Sequence, residues 1–463
     1  MLRRLLLPAT LLLSGCLSGP DYLKPELDQV TPAQWRWQPA VPRDELPKGD
    51  WWKVFHDPEL TRLEERALAE NQGLKAAIAR VEQARAASHG TAADFFPDIR
   101  IKSNTKRERT SGNLPTPVPV NIPSAHINSF RDVFDLSYEI DFWGKVRRTF
   151  ESARAQSQAS IADYHGVMLT LTSDVAASYF LLRAYDAELA ALRQTNELRE
   201  QSLRIIEQRS KAGTIPEVDV ARARAELASG KAELADVKRL RQETSDVLAI
   251  LCGQPASSFE IRERPISGEP PRVPAGLPAE VLERRPDVAA AERLVAARNA
   301  EVGVATSYYF PSIKLTGDAG FLSKETGSLF SADSKVWSIG PEVSLPITGY
   351  FLIGARVRQA KAAREEAVAT YRQAVLAAVK DVETSLTQIR SRQEQAVAMD
   401  EALNAAAQST KLVRSLYASG SLSYLELLDA ERTLLQIQRQ GAQVRAQRFI
   451  ASVKLVKAMG GGW

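Results

Sequence analysis

Long segments without proline run through this 463-residue chain and limit the folds that are open to it. Residues 145–211 contain no proline and a single glycine, Gly166. At 1.5 Å of rise per residue, such a run predicts a helix of roughly 100 Å. Two shorter proline-free runs, 59–94 and 217–252, each predict a helix of roughly 54 Å. Two short helices placed end to end therefore match the long one, which is the geometry of a tall helical wall.

The chain also carries two copies of one unit. Three landmarks recur in the same order with an offset of roughly 210 residues; they are Pro97 and Pro311, Gly144 and Gly354, and Gly213 and Gly420. Each copy predicts a helix, two strands, a long helix, a tight turn and a closing helix, and in the second copy the long runs cover 354–418 and 424–459. The predicted organisation is a first repeat at 58–253, a linker rich in proline and glycine at 254–278, and a second repeat at 279–463.

The first residues predict an export signal. Two arginines precede an apolar run that is too short to span a bilayer, and Leu13-Ser14-Gly15-Cys16 follows. This ending resembles a bacterial lipobox, so residues 1–15 are predicted to be removed and Cys16 to carry acyl chains. Leu17 follows the cysteine, which favours the outer membrane by resemblance to other lipoproteins. The alternative is an ordinary secretory signal with an incidental cysteine. Residues 16–57 are then an extended, lipid-anchored segment.

Three stretches alternate between apolar and polar side chains, at 134–142, 313–321 and 337–345. This alternation is typical of a half-buried strand in a soluble antiparallel sheet, and equally of a membrane barrel strand of about 9–11 residues. No segment after the signal has 18 consecutive apolar residues, so a membrane crossing would have to use strands.

In the barrel interpretation, three acidic side chains line a water-filled lumen, and they predict a weak preference for cations; these are Glu139, Asp141 and Glu342. The chain supplies four strands, whereas a membrane barrel needs about eight or more. Open sheet edges are not tolerated in lipid, so the barrel interpretation requires an oligomer.

Composition and motifs argue against several other classes of protein. Lys and Arg number 60 against 56 Asp and Glu, and a net charge of +4 is too small to suggest a nucleic-acid partner. The four histidines form no metal-binding motif, and neither a nucleotide-binding loop nor a hydrolase elbow is present. We therefore expect no catalytic residues, no metal and no cofactor other than the lipid on Cys16. Cys252, the other cysteine, is expected to be a buried thiol.

Four motifs carry a family resemblance: Trp51-Trp52-x-x-Phe55-x-Asp57-Pro58, Asp141-Phe142-Trp143-Gly144-Lys145, Arg284-Arg285-Pro286-Asp287 and Tyr424-Leu425-Glu426-Leu427-Leu428-Asp429. With them the chain resembles the outer membrane factors of tripartite efflux pumps, in their lipoprotein branch. The resemblance implies a mixed α and β membrane protein in the outer membrane of a Gram-negative bacterium. It implies a homotrimer with a 12-stranded β-barrel continued by a 12-helix periplasmic α-barrel. The implied partners are a periplasmic adaptor and an inner-membrane RND-type transporter, and the implied cargo is small molecules such as drugs.

The same resemblance implies roles for the two helical turns. The tips would contact the adaptor, through Gly213, Thr214, Pro216, Gly420 and Ser421. Leu425 and Asp429, spaced i and i+4 on one helix face, would form the constriction of the closed channel. The alternative is that Leu425 is an ordinary core residue and Asp429 an ordinary surface residue.

Two other functions remain open from the sequence. A periplasmic coiled-coil lipoprotein that acts as an adaptor or scaffold would keep the helices and Cys16 but use the strands in a soluble sheet. An outer-membrane tunnel for type I protein secretion would keep the whole architecture and change only the cargo.

Overall fold

The computed structural model describes residues 17–26, 49–111, 124–266, 268–271 and 285–461. The chain divides into two compact units. The sheet unit comprises Met1–Pro25, Val81–Ser160 and Ala291–Tyr371. The hairpin unit comprises Glu26–Arg80, Ile161–Ala290 and Arg372–Trp463.

The described residues form seven α-helices and four strands, which are joined by turns, extended segments and short 3-10 helices. The helices are α1 (Pro58–Glu70), α2 (Gln72–Ala92), α3 (Lys145–Lys211), α4 (Glu217–Leu251), α5 (Pro286–Ser307), α6 (Tyr350–Ala418) and α7 (Tyr424–Ala458). The strands are β1 (Asp98–Arg109), β2 (His126–Glu139), β3 (Ser312–Ser323) and β4 (Lys335–Ser344). Helix α3 has the bounds that its proline-free run predicts, and α6 begins four residues before the predicted 354.

No helix in the described part of the chain combines the length and the apolar character that crossing a membrane would demand.

The first helical run differs from its prediction. The sequence predicts one helix over 59–94, but the structure has α1 and α2 separated at Asn71. The Asn71 backbone is extended, with ψ of 124°, and its side chain replaces the missing helical hydrogen bonds. Its oxygen accepts from the Leu74 N–H at 2.9 Å, and its amide donates to the Leu251 carbonyl at 2.9 Å. An asparagine that bonds its own backbone competes with helix continuation, which explains the break.

The four strands form one antiparallel sheet in the order β1-β2-β3-β4. Each pairing keeps a constant register along its whole length, from Ile101 opposite Phe134 to Ala319 opposite Trp337. Without bulges, successive side chains alternate strictly between the two faces of the sheet. Strands β1 and β4 are the edges, and each has a strand partner on one side only within the described residues.

Strand β2 also differs from its prediction. The alternating stretch 134–142 predicts a strand that reaches Phe142, whereas β2 starts earlier, at His126, and ends at Glu139. Asp141 lies beyond the strand because its carboxylate is bound to the start of α3, as described below.

An apolar cluster holds the hairpin unit together. Trp51 and Trp52 are buried against α1, the middle of α3, and the ends of α4 and α7. Cys252 belongs to this cluster and is fully buried, which confirms the expected buried thiol. Burial raises the pKa of the Cys252 thiol to about 11, so the thiol stays protonated and unreactive at neutral pH.

The Arg-Arg-Pro-Asp motif has a structural use in this unit. The buried Arg285 side chain donates to the Asp287 carboxylate at 2.8 Å, to Asp381 of α6 at 3.3 Å, and to the Ala458 carbonyl at the end of α7 at 3.0 Å. One guanidinium thus ties the start of α5 to two other helices. Burial alone would raise the pKa of Asp287, but the Arg285 charge outweighs it and the pKa is lowered.

Candidate functional site

One face of the sheet is apolar and exposed. A single cross-strand row contains Ile101, Phe134, Ala319 and Trp337. Ile101 is 73% exposed, Phe134 60% and Trp337 77%. The next row, Ile99, Leu136, Gly317 and Ile339, has the same character. Large aromatic and branched side chains in contiguous rows without cover mark a surface that meets lipid or another protein.

The opposite face of the same strands is charged. Lys102 of β1 pairs with Asp135 of β2 at 2.7 Å, and Arg131 of β2 with Asp318 of β3 at 2.8 Å. The register places Lys314 between Glu139 and Glu342 in one cross-strand row. The structure therefore brings Glu139 and Glu342 to a common polar face. Sequence reasoning missed the cations among them, although the same alternation selects Lys102 and Lys314.

Asp141 belongs to the junction of sheet and helix. Its carboxylate accepts from the backbone N–H groups of Val146 and Arg147, each at 3.0 Å, and pairs with the Arg147 side chain at 3.1 Å. A carboxylate at this position satisfies unpaired N–H groups in the first turn of α3. Nearby, Lys145 donates to Glu139 at 2.9 Å. A role for Asp141 in a lumen stays a prediction, and its position is off the strand.

Two turns join the long helices of the hairpin unit. Gly213 and Gly420 take left-handed φ angles of 71° and 79°, which a side chain would strain. After each helix, the N–H of Thr214 or Ser421 donates back across the turn, to the Arg209 and Leu416 carbonyls, at 3.0 and 2.9 Å. This pattern ends a helix at a glycine and reverses the chain at once. The predicted tip residues are exposed; they are Gly213, Thr214, Pro216, Gly420 and Ser421.

Leu425 and Asp429 lie just after the second turn, on the first turns of α7. Leu425 is 51% exposed, and Asp429 is also exposed. Their neighbours Leu427 and Leu428 are buried against Ile206 of α3 and residues of α4. The helix thus packs one face inside the chain and presents Leu425 and Asp429 on the other. A leucine at half exposure is not an ordinary core residue of this chain.

Ion pairs connect this part of α7 to neighbouring helices. Arg432 pairs with Glu226 of α4, which also pairs with Arg199 of α3 at 2.5 Å. Arg414 of α6 pairs with Glu431 at 2.8 Å. Burial acts to raise the pKa of Glu226, but Arg432 and Arg199 outweigh it, so the pKa is lowered and the carboxylate stays charged. Sequence reasoning missed this network, since its partners lie on different helices.

A polar cavity of about 1050 Å³ opens among the helices of the hairpin unit. Helix α7 lines it with a stripe at helical spacing, formed by Gln436, Gln440, Gln443 and Gln447. Glu188 and Arg439 lie at its wall and pair at 3.2 Å. Among the described residues, no group of three histidine, cysteine or acidic side chains is arranged to hold a metal ion.

Residues 17–22, which we call the N-terminal strap, dock on the sheet unit. The Ser18 N–H donates to the Trp143 carbonyl at 3.0 Å, and Asn299 donates to the Pro20 carbonyl at 2.9 Å. The buried Arg148 reaches Asp21 at 2.7 Å. A side chain on Gly303 would lie 2.7 Å from the Ser18 carbonyl oxygen, so the strap needs a glycine there. Cys16 itself lies outside the described residues, and its lipidation stays a prediction.

Comparison with known proteins assigns this arrangement to a family. The family model described as "Outer membrane efflux protein" matches residues 63–254 and 277–461. The chain belongs to the outer membrane efflux protein family. The match falls in two segments, each of which contains two strands and one of the helical turns. The protein is an outer-membrane component of an efflux system in a Gram-negative bacterium.

Individual relatives are similar over their full length. The pyoverdine export outer membrane protein OpmQ of Pseudomonas aeruginosa is 35% identical over 462 residues, covering 99% of this chain and 96% of the relative. The probable outer membrane lipoprotein SilC of Salmonella typhimurium is 30% identical over 470 residues, covering 100% and 99%. The solved structure of the outer-membrane channel OprN matches with a TM-score of 0.87 at 30% identity, covering 97% of this chain and 100% of that chain.

Proposed function

We propose that three copies of this chain assemble into one channel through the outer membrane, and that small molecules leave the cell through it. The observation that carries the proposal is the division of the sheet into an exposed apolar face and a charged face. An outward apolar face with a polar lining on the same strands is the pattern of outer-membrane barrels. Strands of 10 to 14 residues are long enough to cross the membrane.

Closure of the sheet supplies the argument for three copies. The described residues of one chain form four strands with two edges, β1 and β4. In lipid, the unpaired N–H and C=O groups of an edge cost several kcal/mol each, so β1 of one copy must pair with β4 of the next. Four strands fall short of the smallest barrels, and three copies give the 12 strands of the family architecture.

We assign the hairpin unit to a periplasmic tunnel with a gate at its tip. The glutamine stripe of α7 and its polar cavity suit a water-filled wall. Three Leu425 side chains would form an apolar ring, and three Asp429 carboxylates a charged ring, which are two devices that channels use for gating and selection. The ion pairs of Glu226 and Arg414 would hold α7 in the closed position, and opening would require them to rearrange.

The tips are the proposed contact with a periplasmic adaptor, through which an inner-membrane RND-type transporter would supply cargo. The relatives support a small-molecule cargo, because the one from Pseudomonas aeruginosa is named for pyoverdine export. A relative is named as a lipoprotein, which supports acylation of Cys16. The docked strap would hold that acylated residue beside the sheet. A channel of this kind needs neither a catalytic residue nor a cofactor.

The rival interpretation as a coiled-coil scaffold would need another protein to cover the apolar face of the sheet. A test is to purify the protein in mild detergent and run it in SDS with and without heating. We expect a trimer that resists SDS until it is heated, and that floats with phospholipid vesicles. A monomer that heating does not change, and that stays with the soluble fraction after removal of the lipid anchor by Cys16→Ser, would support the scaffold instead.

A further inference from the structure

Three basic residues lie on the apolar face of the sheet. They are near the end where loops connect β1 to β2 and β3 to β4. They are Arg107 and Arg109 of β1 and Lys335 of β4. The unbroken register places Arg107 and Arg109 on the same face as Ile101, six and eight residues along β1. Lys335 shares its face with Trp337, two residues along β4. Lys335 lies one row beyond Trp337 towards the loops, and Arg107 and Arg109 lie three and four rows beyond Ile101, just past the row that contains Phe130. All three are therefore on the loop side of the apolar rows.

These three residues differ from most cations on the polar face in their partners. On the polar face, Lys102 pairs with Asp135, Lys106 with Glu108, and Arg131 with Asp318. Within the described residues, Arg107, Arg109 and Lys335 have no acidic partner, and Arg109 makes a single long contact, 3.5 Å to the Ser124 hydroxyl. The acidic residue on this face of β2 is Asp132, which lies two strands away from Lys335 in the same row.

If lipid surrounds the apolar face, the position of these cations along the strands determines how much their charge costs. A charge in the middle of the lipid band costs about 2–4 kcal/mol, and the cost falls to about 0–1 kcal/mol near the interface. Cations at the border of the band therefore lie at the depth of the lipid headgroups. There, long side chains can reach phosphate oxygens, and arginine can bind them with two parallel hydrogen bonds.

We propose that Arg107, Arg109 and Lys335 form a binding surface for the phosphate groups of the phosphorylated glycolipid in the outer leaflet. This inference rests on the proposed function, because it takes the apolar face as lipid-facing and the loop end as the outer end. In the trimer, β4 of one copy lies beside β1 of the next, so Lys335 and the two arginines of neighbouring copies would combine into three such surfaces. The bound lipids would then brace the joints between copies.

The test compares the heat stability of the trimer in two kinds of vesicle, phosphatidylethanolamine alone and phosphatidylethanolamine with bis-phosphorylated lipid A. The variant Arg107→Gln/Arg109→Gln/Lys335→Gln removes the surface. The matched control, Lys102→Gln/Lys106→Gln/Lys314→Gln, removes three cations from the polar face of the same strands. We expect lipid A to raise the dissociation temperature of the wild type and the control, and the surface variant to lose most of that rise. Dephosphorylated lipid A should not raise the dissociation temperature of the wild type or of either variant.

The outcomes separate this inference from the proposed function. The proposed binding surface is contradicted if the surface variant keeps the full rise in dissociation temperature. It is also contradicted if the control loses that rise while the surface variant keeps it. Neither result bears on the channel. Failure of the wild type to insert as a heat-sensitive trimer in either vesicle would overturn the proposed function as well. If the triple variant does not fold, Arg107→Gln and Lys335→Gln singly should each lose part of the rise, and two unaffected single variants would also contradict the proposal.

Discussion

Glu64 is the residue whose environment conflicts most with its charge. It lies on α1, has no exposed surface, and neither carboxylate oxygen has a hydrogen-bond partner among the described residues. Burial raises the pKa of Glu64 well above its usual value, because the charged form loses its hydration without gaining a partner. A proton is therefore bound more tightly in the folded chain than in the unfolded one.

The sign of the pH dependence follows from that shift. The stability that Glu64 contributes is complete below its unfolded pKa of about 4.3, and it is lost as the pH rises through the raised folded value. We expect Glu64→Gln to raise the thermal unfolding temperature at pH 8 and to change it little at pH 4, as measured by circular dichroism. The exposed neighbour Glu65→Gln is the control. An equal effect of Glu64→Gln at both pH values would contradict the assignment.

At the residue scale, sequence patterns select positions along the chain but not the partners of those positions. A motif selects Leu425 and Asp429, which are exposed, and the end of each helical run selects the tip glycines. The ion pair of Arg432 with Glu226 joins residues more than 200 positions apart, and the strap contact of Arg148 with Asp21 joins residues more than 100 apart. Local patterns carry no information on such pairs. Asn71 is the exception, because an asparagine two residues before Gly73 is a local signal for a helix break.

At the scale of elements, the strap and α5 must approach each other closely. Gly303 lies where an added side chain would meet the Ser18 carbonyl at 2.7 Å and the Arg148 side chain at 2.9 Å. We expect Gly303→Ala to displace the strap and to expose residues 17–22 to a protease. Gly90 lies on α2 with open space around it, so Gly90→Ala should leave the strap protected and should stabilise α2 by about 1 kcal/mol. Equal protection of the strap in both variants would contradict this account of Gly303.

The two faces of β4 make opposite predictions for the same substitution. Ile339 is 65% exposed on the apolar face, whereas Ser338 faces Asp318 on the polar face. A lysine at 339 should cost about 2–4 kcal/mol per copy if that face meets lipid. We expect Ile339→Lys to reduce the yield of heat-modifiable trimer in vesicles sharply, and Ser338→Lys to leave it nearly unchanged. The reverse order would mean that the faces are assigned the wrong way round.

Elements were predicted from the sequence to different degrees. The ends of α3, α4 and α7 were predicted within about one residue, since proline, glycine and the turns are local signals. Strand lengths were not, because β1 and β2 extend through polar residues towards the loops. Their length is set by pairing with one another, and pairing is a non-local property.

At the scale of the whole molecule, one chain is an incomplete object. Among the described residues, the sheet has two open edges, its apolar face is exposed, and Leu425 and Asp429 lie on the exposed side of α7. A threefold assembly would satisfy all three features at once. The strand count alone predicts that several copies are needed. The charge pattern of the polar face cannot be predicted from the sequence alone, because it depends on the register of the strands. The expected cation preference rested on Glu139, Asp141 and Glu342, and the paired cations beside them reduce it.

The most direct test of the gated channel is single-channel conductance in a planar bilayer, with the wild type compared with Leu425→Ala/Asp429→Ala. The pair Leu416→Ala/Asp400→Ala, which alters exposed residues of α6 outside the proposed ring, serves as a control. We expect the wild type and the control to be nearly silent and the gate variant to conduct clearly, because removal of both rings leaves the tip open. Inserted, folded trimers of the gate variant that remain as silent as the wild type would contradict the account.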